Sequence, residues 1–185
     1  MGGDDRFAVS FNIASRVGNA EKGILANGLN YPDALAIAPY AARHGYPILL
    51  TNPNELPDIT KKALENVDGT IVVGGTASVS SRVYSQLPEP QRIGGANRFE
   101  VAANVITQLH QTPGQAYVAT GLSFADALTG SVLAAKQNAP MLLTWPNRLP
   151  EATRDVIEAK RISSFNVLGG TGSINPELYS KLNGQ

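Results

Sequence analysis

The feature that most constrains this chain is that it contains the same ordered set of short motifs twice. Gly2-Gly3-Asp4-Asp5-Arg6-Phe7 reappears as Gly94-Gly95-Ala96-Asn97-Arg98-Phe99, 92 residues on. Gly28 followed by Asp33-Ala34-Leu35 returns as Gly121 followed by Asp126-Ala127-Leu128, and Pro47-Ile48-Leu49-Leu50-Thr51 as Pro140-Met141-Leu142-Leu143-Thr144. Leu56-Pro57, Gly74-Gly75-Thr76 and Tyr84-Ser85 return as Leu149-Pro150, Gly169-Gly170-Thr171 and Tyr179-Ser180. The offset drifts only from 92 to 95 residues, and the order never changes. A fixed-period repeat of this kind means one supersecondary unit built twice. The expected division is 1–90 and 91–185, with Pro88-Glu89-Pro90 as the seam.

Within each copy, short apolar runs alternate with helical patterns. Gly23 to Ala26, Ile48 to Leu50 and Ile71 to Val73 read as strands buried on both faces, as do Tyr117 to Ala119, Met141 to Leu143 and Phe165 to Leu168. In the first copy the helical stretches run from Arg6 to Arg16, Asp33 to Arg43, Pro57 to Val67 and Ser78 to Leu87. The second opens with Arg98 to Gln108. Strand–helix alternation predicts an α/β fold: two tandem Rossmann-like or flavodoxin-like units, each a small parallel sheet flanked by helices. Pro39, where the second copy has Val132, should kink or shorten its helix. The first copy lacks the Arg-Ile that precedes Gly94-Gly95, so one unit should carry an exposed sheet edge.

Fifteen basic and fifteen acidic residues cancel, which leaves no basic footprint for nucleic acid or an anionic membrane. With no cysteine, thiolate metal sites and disulfides are excluded, and no apolar run approaches the roughly 20 residues of a membrane span. The first residues have neither a basic n-region nor an apolar core, so any export signal is expected on a segment outside this sequence.

Ligands of open parallel sheets bind beyond the carboxyl ends of the strands. The loops expected there are residues 27–31, 51–54 and 74–76, and in the second copy 120–124, 144–148 and 169–172. Gly74-Gly75 and Gly169-Gly170, each before a helix, either form a tight turn or present N–H groups to an anion. Asp33 and Asp126 have the spacing of capping-box acids after Asn30 and Ser123, or else contact ligand. Thr51 and Thr144 end buried strands at the same edge. Arg6 and Arg98 begin helices, where the dipole disfavours a cation. Each therefore pairs with an acid such as Asp33 or Asp126, or with an anionic ligand. Trp145 follows Thr144 and has Asn52 as its counterpart, so it serves either burial or stacking on a sugar ring. His44 and His110 are not equivalent positions, and no nucleophile elbow, phosphate loop or metal cluster appears. No catalytic residue, metal or cofactor is expected.

The set Arg92-Ile93-Gly94-Gly95-Ala96-Asn97-Arg98-Phe99-Glu100, then Gly121-x-x-Phe124-Ala125-Asp126-Ala127-Leu128, Ala139 to Thr144 and Val167-Leu168-Gly169-Gly170, resembles the cell wall binding repeat 2 family over the whole chain, twice. The resemblance implies a non-catalytic extracellular module that holds surface-layer proteins and autolysins non-covalently on Gram-positive walls. It also implies recognition of an anionic secondary wall polysaccharide and association with other copies of the repeat, which commonly number three. The family's anchoring-linked Ile-Leu-Leu segment corresponds to Ile48-Leu49-Leu50 and Met141-Leu142-Leu143. A surface-layer assembly scaffold and a small-molecule-binding Rossmann-like enzyme are the alternatives.

Overall fold

The computed structural model describes residues 2–184. The chain divides into two compact units, Met1–Ala34 with Ala41–Gly94, and Leu35–Tyr40 with Gly95–Gln185. The first sheet is built from β1 (Lys22–Asn27), β2 (Ile48–Thr51), β3 (Gly69–Val73) and β4 (Pro90–Ile93), in the order β2-β1-β3-β4. Its helices are α1 (Arg6–Val17), α2 (Pro32–His44), α3 (Asp58–Leu64) and the short α4 (Ser81–Tyr84). The second sheet has β5 (Gln115–Thr120), β6 (Met141–Thr144) and β7 (Ser164–Val167), ordered β6-β5-β7. With it come α5 (Arg98–Gln108), α6 (Ala125–Lys136), α7 (Glu151–Lys160) and α8 (Pro176–Asn183).

All strand pairs are parallel, and the registers of the two sheets match: Ile24 pairs with Ile48 as Tyr117 pairs with Met141. Helix-spaced crossovers make this the natural arrangement, and helices on the faces require strands that are apolar on both sides. The central strands meet that demand, with Ile24, Leu25, Val118 and Ala119 all fully buried. The first core gathers Leu25, Leu49, Leu64, Val72 and Val83, and the second Ile106, Val118, Leu142, Ile157 and Leu178. Burial of each such aliphatic side chain stabilises its unit by roughly 1.5–3 kcal/mol.

Helix entry is set by local chemistry. Asp5 caps α1 by accepting from the Ala8 N–H at 2.7 Å. Asn97 caps α5 by accepting from the N–H groups of Phe99 and Glu100, each at 3.0 Å, while Glu100 reaches back to the Ala96 N–H at 2.9 Å. Such caps satisfy N–H groups that a helix cannot satisfy itself.

Pro39 neither ends nor shortens α2, which runs 13 residues against 12 for α6. The exposed edge expected on one unit lies in the second. Strand β4, which carries Arg92-Ile93, pairs with β3 from Thr70↔Pro90 to Val73↔Ile93 and completes the first sheet. The three-stranded sheet is the second.

Candidate functional site

Strand β1 has β2 on one side and β3 on the other, so the loops leaving β1 and β3 diverge at its carboxyl end. This is the topological switch point where α/β sheets open a crevice. Strands β5, β6 and β7 repeat the arrangement. Nearly all the residues singled out in the sequence converge on these two edges.

The arginines and the phenylalanines beside them hold the loop after the first strand of each unit. Arg6 Nη1 donates to the Gly28 carbonyl at 2.6 Å, and Arg98 Nη1 donates to the Gly121 carbonyl. A β-carbon on Gly28 would lie 2.8 Å from the Phe7 ring, and one on Gly121 would lie 2.7 Å from the Phe99 ring. Only glycine fits beneath the ring, which explains why Arg-Phe and the later glycine recur together. Of the two alternatives, an acid partner or an anionic ligand, the first is not what the structure shows: each arginine meets a backbone carbonyl in place of Asp33 or Asp126. Arg6 is exposed and Arg98 half-buried, and this one bond leaves the other N–H groups of each guanidinium without a protein partner among the described residues.

The aspartates do something other than cap. The N-cap residues of α2 and α6 are Tyr31 and Phe124, neither with a side-chain cap bond, and each aspartate is the second residue of its helix. From there the carboxylate reaches the glycine turn. Ser173 Oγ donates to Asp126 Oδ2 at 2.8 Å. A β-carbon on Gly169 would lie 2.5 Å from Asp126 Oδ2, and one on Gly74 would lie 2.5 Å from Asp33 Oδ2, with Ser78 alongside. Gly74 and Gly169 have φ of 111° and 102°, a region that side-chain-bearing residues rarely adopt. The next glycine of each turn supplies a carbonyl: Gly75 O accepts from Ser78 and Val79, and Gly170 O from Ser173 and Ile174. The second turn is thus latched to the Asp126 carboxylate, and the Asp33 carboxylate stands at the same place beside the first.

The threonines stabilise the third loop. Thr51 Oγ1 donates to the carbonyls of Asn52 and Glu55, both at 3.0 Å, and Thr144 Oγ1 donates to that of Arg148 at 2.8 Å. Both are fully buried. Trp145 is half-buried, with its ring 4.8 Å from that of Phe99 and the Arg148 guanidinium 5.8 Å from its face. Met141, Leu142 and Leu143 are core residues of β6, as Leu49 is of β2. His44 and His110 are exposed near helix ends. Among the described residues, no group of three or more His, Cys, Asp or Glu side chains could hold a metal.

Sequence reading missed three features. Buried Thr60 and Thr153 donate to the carbonyls of Leu50 and Leu143 at 2.7 and 2.9 Å, tying the third helix of each unit to the neighbouring strand. Their matched spacing behind Leu-Pro was the available signal. A cleft of about 350 Å³ in the second unit is lined by Arg148, Arg154, Ile157, Glu158 and Lys181. A cleft of about 380 Å³ lined by Lys61, Leu64, Glu65 and Gln86 is its counterpart in the first. Finally, Arg92 clamps the first glycine turn, donating to the carbonyls of Gly74 at 2.9 Å and Val79 at 2.8 Å. Burial lowers its pKa from the usual arginine value.

Two small parallel α/β repeats, each with arginine, aspartate and glycine-turn residues gathered at one loop edge, define a tandem-repeat module. The chain belongs to the cell wall binding domain 2 (CWB2) family, whose pattern matches residues 1–84 and 92–179. It is 36% identical over 184 residues to the N-acetylmuramoyl-L-alanine amidase LytC of Bacillus subtilis, covering 98% of this chain and 37% of that protein. It is 37% identical over 185 residues to the amidase enhancer of the same organism, covering 98% of this chain and 26% of that protein. Among solved structures, Cwp8 from Clostridium difficile superposes with a TM-score of 0.85 at 28% identity, over 97% of this chain and 32% of that one. Cwp6 from the same organism gives 0.86 at 25% identity, over 98% and 31%. The chain therefore spans well under half the length of these proteins. It is a cell-wall binding module, and its place is the cell wall or cell surface.

Proposed function

We propose that this module acts without catalysis, holding an extracellular parent protein on a Gram-positive wall by binding an anionic secondary wall polysaccharide. The repeats act as two equivalent contact units, 1–90 and 91–185. The observation that carries the reading is the arginine at the crevice of each unit. One guanidinium nitrogen is fixed by the Gly28 or Gly121 carbonyl, and the remaining donors have no protein partner among the described residues. A pre-oriented guanidinium is well suited to carboxylate or phosphate groups, and charge-assisted contacts are worth roughly 1.5–3 kcal/mol each. Asp33, Asp126, Gly74, Gly75, Gly169 and Gly170 shape the crevice wall, and Thr51 and Thr144 fix the third loop. Trp145 is half-buried beside Phe99. With a carboxylate already beside each glycine turn, the anionic groups are directed to the arginines.

Other copies of the repeat are the second class of partner. Phe124, Leu128 and Val132 form an apolar stripe along α6, exposed by 52%, 53% and 62%, whereas the corresponding Leu35 and Pro39 of α2 are buried. Three large apolar side chains four residues apart lie on one helix face, a pattern that suits association.

Calorimetric titration with soluble polymer released from purified walls tests the polysaccharide reading. Saturable binding with a shallow dependence on salt is expected, because the chain has no net charge and few ionic contacts. Absence of heat and of any spectral change at saturating polymer would contradict it.

A further inference from the structure

The two units differ by one strand, and the first shows what the second can accept. In the first, β4 runs beside β3, and the Gly74 N–H donates to the Ile93 carbonyl at 2.9 Å. Arg92 chelates the carbonyls of Gly74 and Val79 and lies 4.8 Å over the Tyr84 ring. Tyr84 in turn donates its hydroxyl to the Pro90 carbonyl at 2.6 Å. Four residues, Pro90 to Ile93, thus engage the strand edge, the glycine turn and the tyrosine together.

The second unit presents the same receiving groups. Gly169, Ile174 and Tyr179 stand at the positions of Gly74, Val79 and Tyr84, each 95 residues later. The turn has the same positive φ and the same pair of N–H bonds onto its second glycine. Among the described residues, however, strand β7 pairs only with β5. Strand β3 is buried along its whole length, while in β7 only Phe165 is. The Gly169 N–H has no protein partner among the described residues, and Tyr179 is 52% exposed. An open parallel edge ending in an arginine-ready turn is an acceptor for strand addition, where backbone bonds give affinity and side-chain contacts fix register.

We propose that the outer edge of β7 is a strand-acceptor site for a Pro-x-Arg-Ile-Gly-Gly segment, the leading strand of a further repeat of this kind. The incoming arginine chelates the Gly169 and Ile174 carbonyls and stacks on Tyr179, as Arg92 does in the first unit. Each repeat is then completed by the one that follows it, and a chain of repeats is assembled by strands donated backwards. This site is separate from the crevice arginines and does not depend on which polymer the module binds.

The test uses the chain itself. Arg92 lies five residues after Leu87, and Leu182 is the counterpart of Leu87. Adding Gln-Arg-Ile-Gly-Gly directly after Gln185 therefore places an arginine in the same register. A second chain carries Gln-Ala-Ile-Gly-Gly. The arginine extension is expected to raise Tm by at least about 3 °C and to slow amide exchange at Gly169 and along β7. The alanine extension should lose more than half of both effects. Unchanged Tm and unchanged Gly169 exchange with the arginine extension, or an equal gain from the alanine one, would overturn the proposal.

Discussion

The Asp126 carboxylate accepts a 2.8 Å hydrogen bond from the Ser173 hydroxyl, 47 residues away, and so joins the start of α6 to the glycine turn after β7. The turn leaves no room for a side chain, because a β-carbon on Gly169 would meet both partners. Gly169→Ala combines that clash with a disfavoured φ and is expected to destabilise the second unit by about 2–4 kcal/mol. Asp126→Asn keeps the shape and should cost about 1 kcal/mol. Urea unfolding distinguishes the two, and equal losses would argue against the steric account.

Thr153 is fully buried, and its hydroxyl donates to the Leu143 carbonyl. Thr153→Val preserves volume and removes that donor, so a loss of about 1–3 kcal/mol is expected, with Thr60→Val behaving alike in the first unit. A stability change below about 0.5 kcal/mol for both in thermal unfolding would contradict this role.

Much of the fold was legible because duplication supplied two readings of each element. Apolar runs such as Ile71 to Val73 mark strands whatever their neighbours do. The site was legible by position and less so by role. Arg6, Gly28 and Asp33 were marked by recurrence, yet the sequence could not say that Arg6 meets the Gly28 carbonyl or that Asp33 faces Gly74. Those contacts join residues tens of positions apart and depend on which loops the sheet order brings together. Local spacing suggested capping for Asp33 and Asp126, but Pro32 and Ala125 already begin the helices, which leaves both carboxylates directed across the crevice. The strand at Arg92-Ile93 was assigned by proximity to the second copy, whereas its hydrogen bonds belong to the first.

Trp145 reports on the second crevice. Its ring packs at 4.8 Å on Phe99, next to Arg98 in the chain, so loss of that ring should expose it. Phe99→Ala is expected to shift its emission to longer wavelength, and saturating polymer should alter the emission of the unmodified chain. An emission maximum unmoved by polymer would remove Trp145 from the contact surface.

The α6 stripe predicts self-association. Light scattering at rising concentration should show a mass above that of the 19.5 kDa chain. Replacing Leu128 and Val132 by aspartate should restore the monomer without unfolding it, since both side chains are exposed. A monomeric mass for the unmodified chain at high concentration would contradict the stripe's role.

The central claim is that this module holds an anionic wall polymer through its crevice arginines. Co-sedimentation with purified Gram-positive walls tests it most directly, using walls with and without their secondary polymer. The chain should bind intact walls and fail to bind stripped ones. The Arg6→Gln, Arg98→Gln variant should lose about tenfold or more in affinity for intact walls, matching roughly 1.4 kcal/mol or more of lost contact. Its stability should fall by only about 1 kcal/mol per unit, the worth of one neutral hydrogen bond. Equal binding to stripped walls, or a variant that loses stability while keeping full wall affinity, would contradict the claim.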